Sequence, residues 1–128
     1  MKYLLDSHTY VWLLVASENV GSDAKNVLSA SDAEVFVSTA SLWELSLKVA
    51  KGKLNLTSEQ LFEGLEALGV ETLSINTDHI KAYGEVRLPH SDPFDTVLCA
   101  QAQAEDMKLA TADRVLIENY KNSLDVLQ

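Results

Sequence analysis

The sequence predicts an α/β fold: a three-layer α/β/α sandwich around a central, mostly parallel sheet of about four or five strands. Three observations carry that expectation. Short apolar segments rich in β-branched residues alternate with helical segments along the whole chain, the pattern of a parallel sheet covered on both faces. Within residues 90–113, the residues Val97, Leu98, Cys99, Ala100, Ala102 and Ala104 cover most of a helix's circumference. A helix apolar nearly all round is buried. Finally, Asp6 and Asp113 stand just past two of the predicted strands, where a parallel sheet opens its ligand crevice.

Taken in order, residues 2–6 (KYLLD) form a first strand closed by an acid. Residues 7–16 carry Tyr10, Val11, Trp12, Leu13, Leu14 and Val15, a helix against the core. Gly21-Ser22-Asp23 restarts the chain, with Ser22 as N-cap of a helix containing Ala24, Val27, Leu28 and Ala30. Residues 34–38 (EVFVS) read as the second strand. Residues 41–51 form a helix with Leu42, Trp43, Leu45, Val49 and Ala50 apolar, stopped by Gly52. Thr57 or Ser58 caps the next helix, where Leu61, Phe62, Leu65 and Leu68 recur at helical spacing. Residues 70–75 are a third strand, and Asn76 or Thr77 opens a helix with Ile80, Tyr83, Gly84 and Val86. Asp92 at the N-cap and Pro93 at the first helical position start the buried helix, because the missing proline N–H costs nothing there. A strand at 108–111, a short helix around 115–119 and a last strand at 124–127, inner or edge, complete the chain. Crossovers are expected to be right-handed. No linker, repeat or low-complexity segment interrupts the pattern, which predicts a single domain over residues 1–128.

Composition narrows the class. The 128 residues are 47% hydrophobic, enough for a core. No apolar run approaches the roughly 18 residues of a membrane span. The amino terminus, MKYLLDSH, is broken by Asp6 and His8 and is too short and polar for a secretory signal. The lone Cys99 has no internal disulfide partner. The expected compartment is the cytoplasm, with no membrane partner. A net charge of −9 disfavours general nucleic-acid binding. It is compatible with acids gathered around divalent cations, or with a basic protein partner.

Each carboxylate has a plain local reading. Asp6, Asp92 and Asp113 suit helix caps, and Asp95 suits the positive end of a helix. Glu44 suits a solvated stripe with Lys48 and Lys51 one and two turns on. Together they share something those readings do not predict. Asp6 and Asp113 follow strands, while Glu44 and Asp95 fall in the first turns of helices leaving the same sheet edge. Converging acids repel one another and some are forced to protonate, unless a cation intervenes. Oxygen ligands without Cys or His suit Mg²⁺ or Mn²⁺, and such a cage supports phosphodiester hydrolysis. Ser7 and Thr111 are expected to orient metal-bound waters from behind. His8 and His90, near the same edge, are read as structural or substrate-facing and not as ligands.

The runs LLDSHTYVWLL, VSTASLWELSLKVAKGKL and HSDPFDTVLCAQAQAEDMKLATAD together resemble the PIN domain. Within it they are most similar to the VapC-type ribonuclease toxins of type II toxin–antitoxin pairs. The resemblance covers nearly the whole chain. It implies an acidic quartet at Asp6, Glu44, Asp95 and Asp113, with Asp6, Asp95 and Asp113 holding the metal. Glu44 completes the site as ligand or by positioning the attacking water. Asp92 matches an extra acid that supports the metal or only caps the helix, and Thr111 matches the hydroxyl before the last acid. The implied activity is Mg²⁺- or Mn²⁺-dependent endoribonucleolytic cleavage of structured RNA such as tRNA. The implied partners are a second copy, as a homodimer, and a VapB-like antitoxin laid across the active groove. Lys48, Lys51 and Arg114, with Lys53 and Arg87, are the candidate phosphate contacts, and a dimer doubles them. Two other readings are a catalytically silent interaction module and a metal-dependent nuclease acting on DNA.

Overall fold

The computed structural model describes residues Met1–Gln128. Five strands, β1 (Lys2–Leu5), β2 (Glu34–Ser38), β3 (Glu71–Leu73), β4 (Lys108–Thr111) and β5 (Ser123–Asp125), form one sheet in the order β3-β2-β1-β4-β5. Every neighbouring pair is parallel. Seven helices surround it: α1 (Ser7–Val15), α2 (Ser22–Leu28), α3 (Thr39–Ala50), α4 (Ser58–Leu68), α5 (Thr77–Tyr83), α6 (Pro93–Ala104) and α7 (Arg114–Asn119). The chain winds outward from β1 to β3, then returns to lay β4 on the other side of β1. The order reverses there, so the carboxyl ends of β1 and β4 flank the topological switch point.

Strand alternation assigns residues to the two faces. Leu4, Leu98, Cys99, Ala102, Met107, Leu109 and Leu116 pack on one side. Leu5, Tyr10, Val37, Leu42, Leu45, Leu61 and Ala110 pack on the other. Adjacent residues Leu4 and Leu5, and Leu109 and Ala110, thus serve opposite layers, and the three-layer α/β/α expectation holds with an all-parallel sheet. Leu4, Leu5 and Leu109 are fully buried, and truncating any of them to Ala costs about 2–5 kcal/mol. No helix is long and apolar enough to cross a membrane.

Several boundaries differ from the sequence reading. Asp6 lies outside β1 as the N-cap of α1. Gly21, not Ser22, is the N-cap of α2, because the backbone there meets the chain's end: its N–H donates to the Val126 carbonyl at 2.7 Å. α3 begins at Thr39, two residues' distance before the predicted Ser41 start, since the Ser38 hydroxyl accepts the Ala40 N–H at 3.0 Å and turns strand into helix. β3 is shorter than predicted, being followed by the Asn76 capping box that opens α5. α5 ends before Gly84 and Val86. The final strand is Ser123–Asp125 at the sheet edge, not 124–127, and the Asp125 carboxylate accepts the Leu127 N–H and turns the chain away.

Candidate functional site

The carboxyl ends of β1 and β4 carry the first two acids. Asp6, only 6% exposed, accepts from the Thr9 N–H through Oδ1 at 2.9 Å and from the Thr111 hydroxyl through Oδ2 at 2.5 Å. The same Thr111 oxygen accepts the Asp113 N–H at 3.0 Å. One buried hydroxyl therefore links the two strand ends, holding the Asp6 carboxylate and the Asp113 backbone. Asp113 caps α7, its Oδ1 accepting from Val115 and Leu116.

The helices leaving this edge bring the others. Glu44 on α3 accepts from the Ser7 hydroxyl at 2.5 Å and lies 3.9 Å from Lys48 Nζ. Asp92 caps α6 through Oδ1, which accepts from the backbone N–H groups of Phe94 and Asp95. Asp95, three residues on, faces His90 Nε2 at 3.5 Å. Its carboxyl is pushed up to about 6, first by burial, then by the charges of Asp92, Asp113 and Glu44, with His90 opposing. The four acids expected from separate parts of the chain thus share one end of the sheet: Asp95 feels Asp113 and Glu44, and Asp6 is tied to Asp113 through Thr111.

The local readings hold. Asp6, Asp92 and Asp113 are helix caps as well as members of the cluster. For that reason the oxygens are turned toward N–H and O–H donors, and no three Asp, Glu, His or Cys side chains are set to hold one metal ion. The donor chemistry nevertheless fits a hard divalent cation. The set is oxygen-only, and Asp95 carries an unfavourable negative potential from three neighbouring acids, which a cation relieves.

The cations separate into two kinds. Lys51 and Lys53 are exposed and unpaired, and Lys48 faces Glu44. The guanidinium of Arg114 is held by both oxygens of Asp125 at 2.8 and 2.6 Å, and its Nε–H donates to the Ala112 carbonyl. Arg87 donates to the Gly84 and Val86 carbonyls. His8 is exposed, and His90 Nδ1 accepts the Asp92 N–H at 3.2 Å. Cys99 is buried and its thiol is pushed up to about 12 by burial, so it stays protonated.

Two features escape sequence reasoning. Trp43 and Phe94 meet edge to face, with ring centroids 5.4 Å apart, beside Glu44 and Asp95. Only the juxtaposition of an aromatic with each acid in W-E and F-D hinted at it. The Arg114–Asp125 pair had no local signal, since strand β5 had to be placed first.

A parallel α/β sheet with carboxylates gathered at its switch point defines the general class of protein: one that works at the crevice beyond its strands. A family model of the PIN domain matches residues 3–122, and the chain belongs to that family. A comparison with curated proteins found no match. Among solved structures the fold is similar to VapBC2 from Rickettsia felis bound to a DNA fragment from its promoter, at 21% identity over 97% of this chain and 96% of that one, TM-score 0.73. It is also similar to VapBC-1 from nontypeable Haemophilus influenzae, at 19% identity over 96% and 95%, TM-score 0.68. VapBC-5 from Mycobacterium tuberculosis, a member of the VapBC family of toxin–antitoxin systems, matches at 17% identity over 91% and 89%, TM-score 0.63.

Proposed function

We propose that the chain is a metal-dependent endoribonuclease and the toxin of a toxin–antitoxin pair. The observation that carries this reading is the placement of acids at the switch point of a PIN-domain chain, where Thr111 joins the Asp6 carboxylate to the Asp113 backbone and α3 and α6 bring Glu44 and Asp95. Asp6, Asp95 and Asp113 would hold Mg²⁺ or Mn²⁺, with Glu44 as a further ligand or as the group that aligns water. Such an ion supplies a hydroxide-like nucleophile and neutralises charge on the phosphate oxygens.

The chain's own residues set the stage for that chemistry. Thr111 holds the Asp6 carboxylate, the Val115 and Leu116 N–H groups hold that of Asp113, and Ser7 holds Glu44, so little side-chain freedom is lost on assembly. Lys48 lies one turn beyond Glu44 and is positioned to meet a phosphate, with Lys51 at the C-cap of α3. Arg114 contributes in this reading by fixing α7 against β5, because Asp125 already occupies its fork. Asp92 acts as cap and as a source of the potential felt by Asp95. A net charge of −9 with few free cations suits a basic antitoxin segment, and a homodimer would double the lysines along the groove. The VapBC complexes with this fold support a VapB-like partner.

A second reading, a silent interaction module on the same fold, is favoured by one observation: the acids are turned to local donors and not to a common point. Mn²⁺ titration separates the two. The nuclease reading expects a rise in melting temperature that Asp95→Asn abolishes, together with Mn²⁺-dependent cleavage of RNA. No thermal shift and no cleavage of RNA would leave the silent module, and cleavage confined to DNA would replace the substrate.

A further inference from the structure

Trp43 is the most exposed large apolar side chain of the protein, at 61%. An indole is normally mostly buried, so its placement at the protein's surface calls for a cause. It is not a floppy one: the Phe94 ring meets it edge to face at 5.4 Å and 75°. Phe94 is the second residue of α6 and next to Asp95, while Trp43 is next to Glu44 in the first turns of α3. The aromatic pair therefore bridges the two helices that carry the acids, at the rim of the cluster. Lys48 follows Trp43 on the same helix, and Lys51 is the residue just past its carboxyl end.

We propose that Trp43 is a stacking platform for an unpaired base next to the scissile phosphate, and so a positioning and specificity residue for RNA. The inference rests on the nuclease reading above. A peptide occupant would be expected to use a concave apolar surface. The apolar cavity of about 580 Å³ is lined instead by Leu13, Leu28, Val35, Leu68 and Val70. A flat ring, braced from one side by Phe94, next in sequence to Glu44 and on the same helix as Lys48, matches the recurrent design of single-strand sites. Aromatic stacking accepts any base but favours the larger π-face. A base held in a duplex cannot stack on a side chain, so paired substrates forgo the contact. The expected consequence is a preference for unpaired over paired RNA at the cleavage point, and for a purine over a pyrimidine at the stacked position.

The test uses the full chain in Mn²⁺ with single-stranded RNA carrying adenine, uracil or an abasic residue beside one cleavage site. Trp43→Ala should raise KM by about tenfold or more with kcat nearly kept, and Trp43→Phe should recover most of the loss. The abasic substrate should reproduce the Ala defect with the parent and add nothing to it with the variant. In a Trp12→Phe background, where Trp43 is the sole indole, adenine-containing RNA should quench its fluorescence saturably and the abasic RNA should not. Cleavage by the parent with an unchanged KM for Trp43→Ala would overturn the platform and leave the nuclease reading intact. Saturable quenching without cleavage would keep Trp43 as a base-stacking residue but overturn its positioning role together with the nuclease reading. Normal cleavage by Trp43→Ala with loss of binding to a co-expressed antitoxin would reassign the ring to a protein interface and overturn the proposal.

Discussion

The hydroxyl of Thr111 donates to the carboxylate of Asp6 across the gap between β4 and β1, while its oxygen accepts the N–H of Asp113. Thr111 and Asp6 are both buried, so water cannot freely replace the bond between them. Thr111→Val keeps the shape and removes the hydroxyl. It leaves the 6% exposed Asp6 short of a donor, at a cost of about 2 kcal/mol, or roughly 5–10 °C in melting temperature for a chain of this size. Thr111→Ser should restore most of it. Thermal unfolding checks both, and Mn²⁺ affinity should fall only in the Val variant.

Asp95 has its carboxyl raised from 3.8 to about 6. The folded state therefore binds more protons than the unfolded state between those values, so its contribution to stability is greatest below about pH 4 and is lost as pH rises through 6. Asp95→Asn removes that loss. Without divalent cations the variant should be more stable than the parent above pH 7, by about 1–2 kcal/mol for this 24% exposed side chain, and the difference should vanish near pH 4. In millimolar Mn²⁺ the order should invert, since only the parent gains from the ion. A variant less stable at pH 8 without metal would contradict the charge-crowding account.

Arg114 holds Asp125 in a two-bond fork, and the Asp125 carboxyl is drawn down to about 2 chiefly by that guanidinium. The pair's stabilisation is present above the ordinary carboxylate range and lost as pH falls through 2. Arg114→Gln should lower the melting temperature modestly at pH 7, and by progressively less as pH falls toward 2. Because the fork is occupied, its KM for RNA should stay close to that of the parent, whereas Lys48→Gln should raise KM several-fold.

Gly21 lies under the chain's end. A Cβ there would come within 2.1 Å of the Gln128 carbonyl carbon. Gly21→Ala must displace the carboxyl-terminal residues and weaken the Gly21 N–H to Val126 and Asp23 N–H to Gln128 bonds. The expected loss is about 1–3 kcal/mol, read by thermal unfolding. Gly52→Ala makes a contrast: nothing lies within 4 Å of its Cβ, and only its φ of +69° opposes the change.

By itself the sequence determined the alternation of strands and helices, the buried character of α6 and the caps at Asp6, Asp92 and Asp113. These follow from periodicity and from side chains that reach their own next few N–H groups, so they are local. Tertiary structure alone decided the rest. It set β5 at the edge beside β4, drew Arg114 to Asp125, and stood Trp43 against Phe94. It also turned each acid toward a nearby donor while crowding their charges around Asp95. Those outcomes depend on which segments the sheet order brings together, and no stretch of neighbouring residues carries that information.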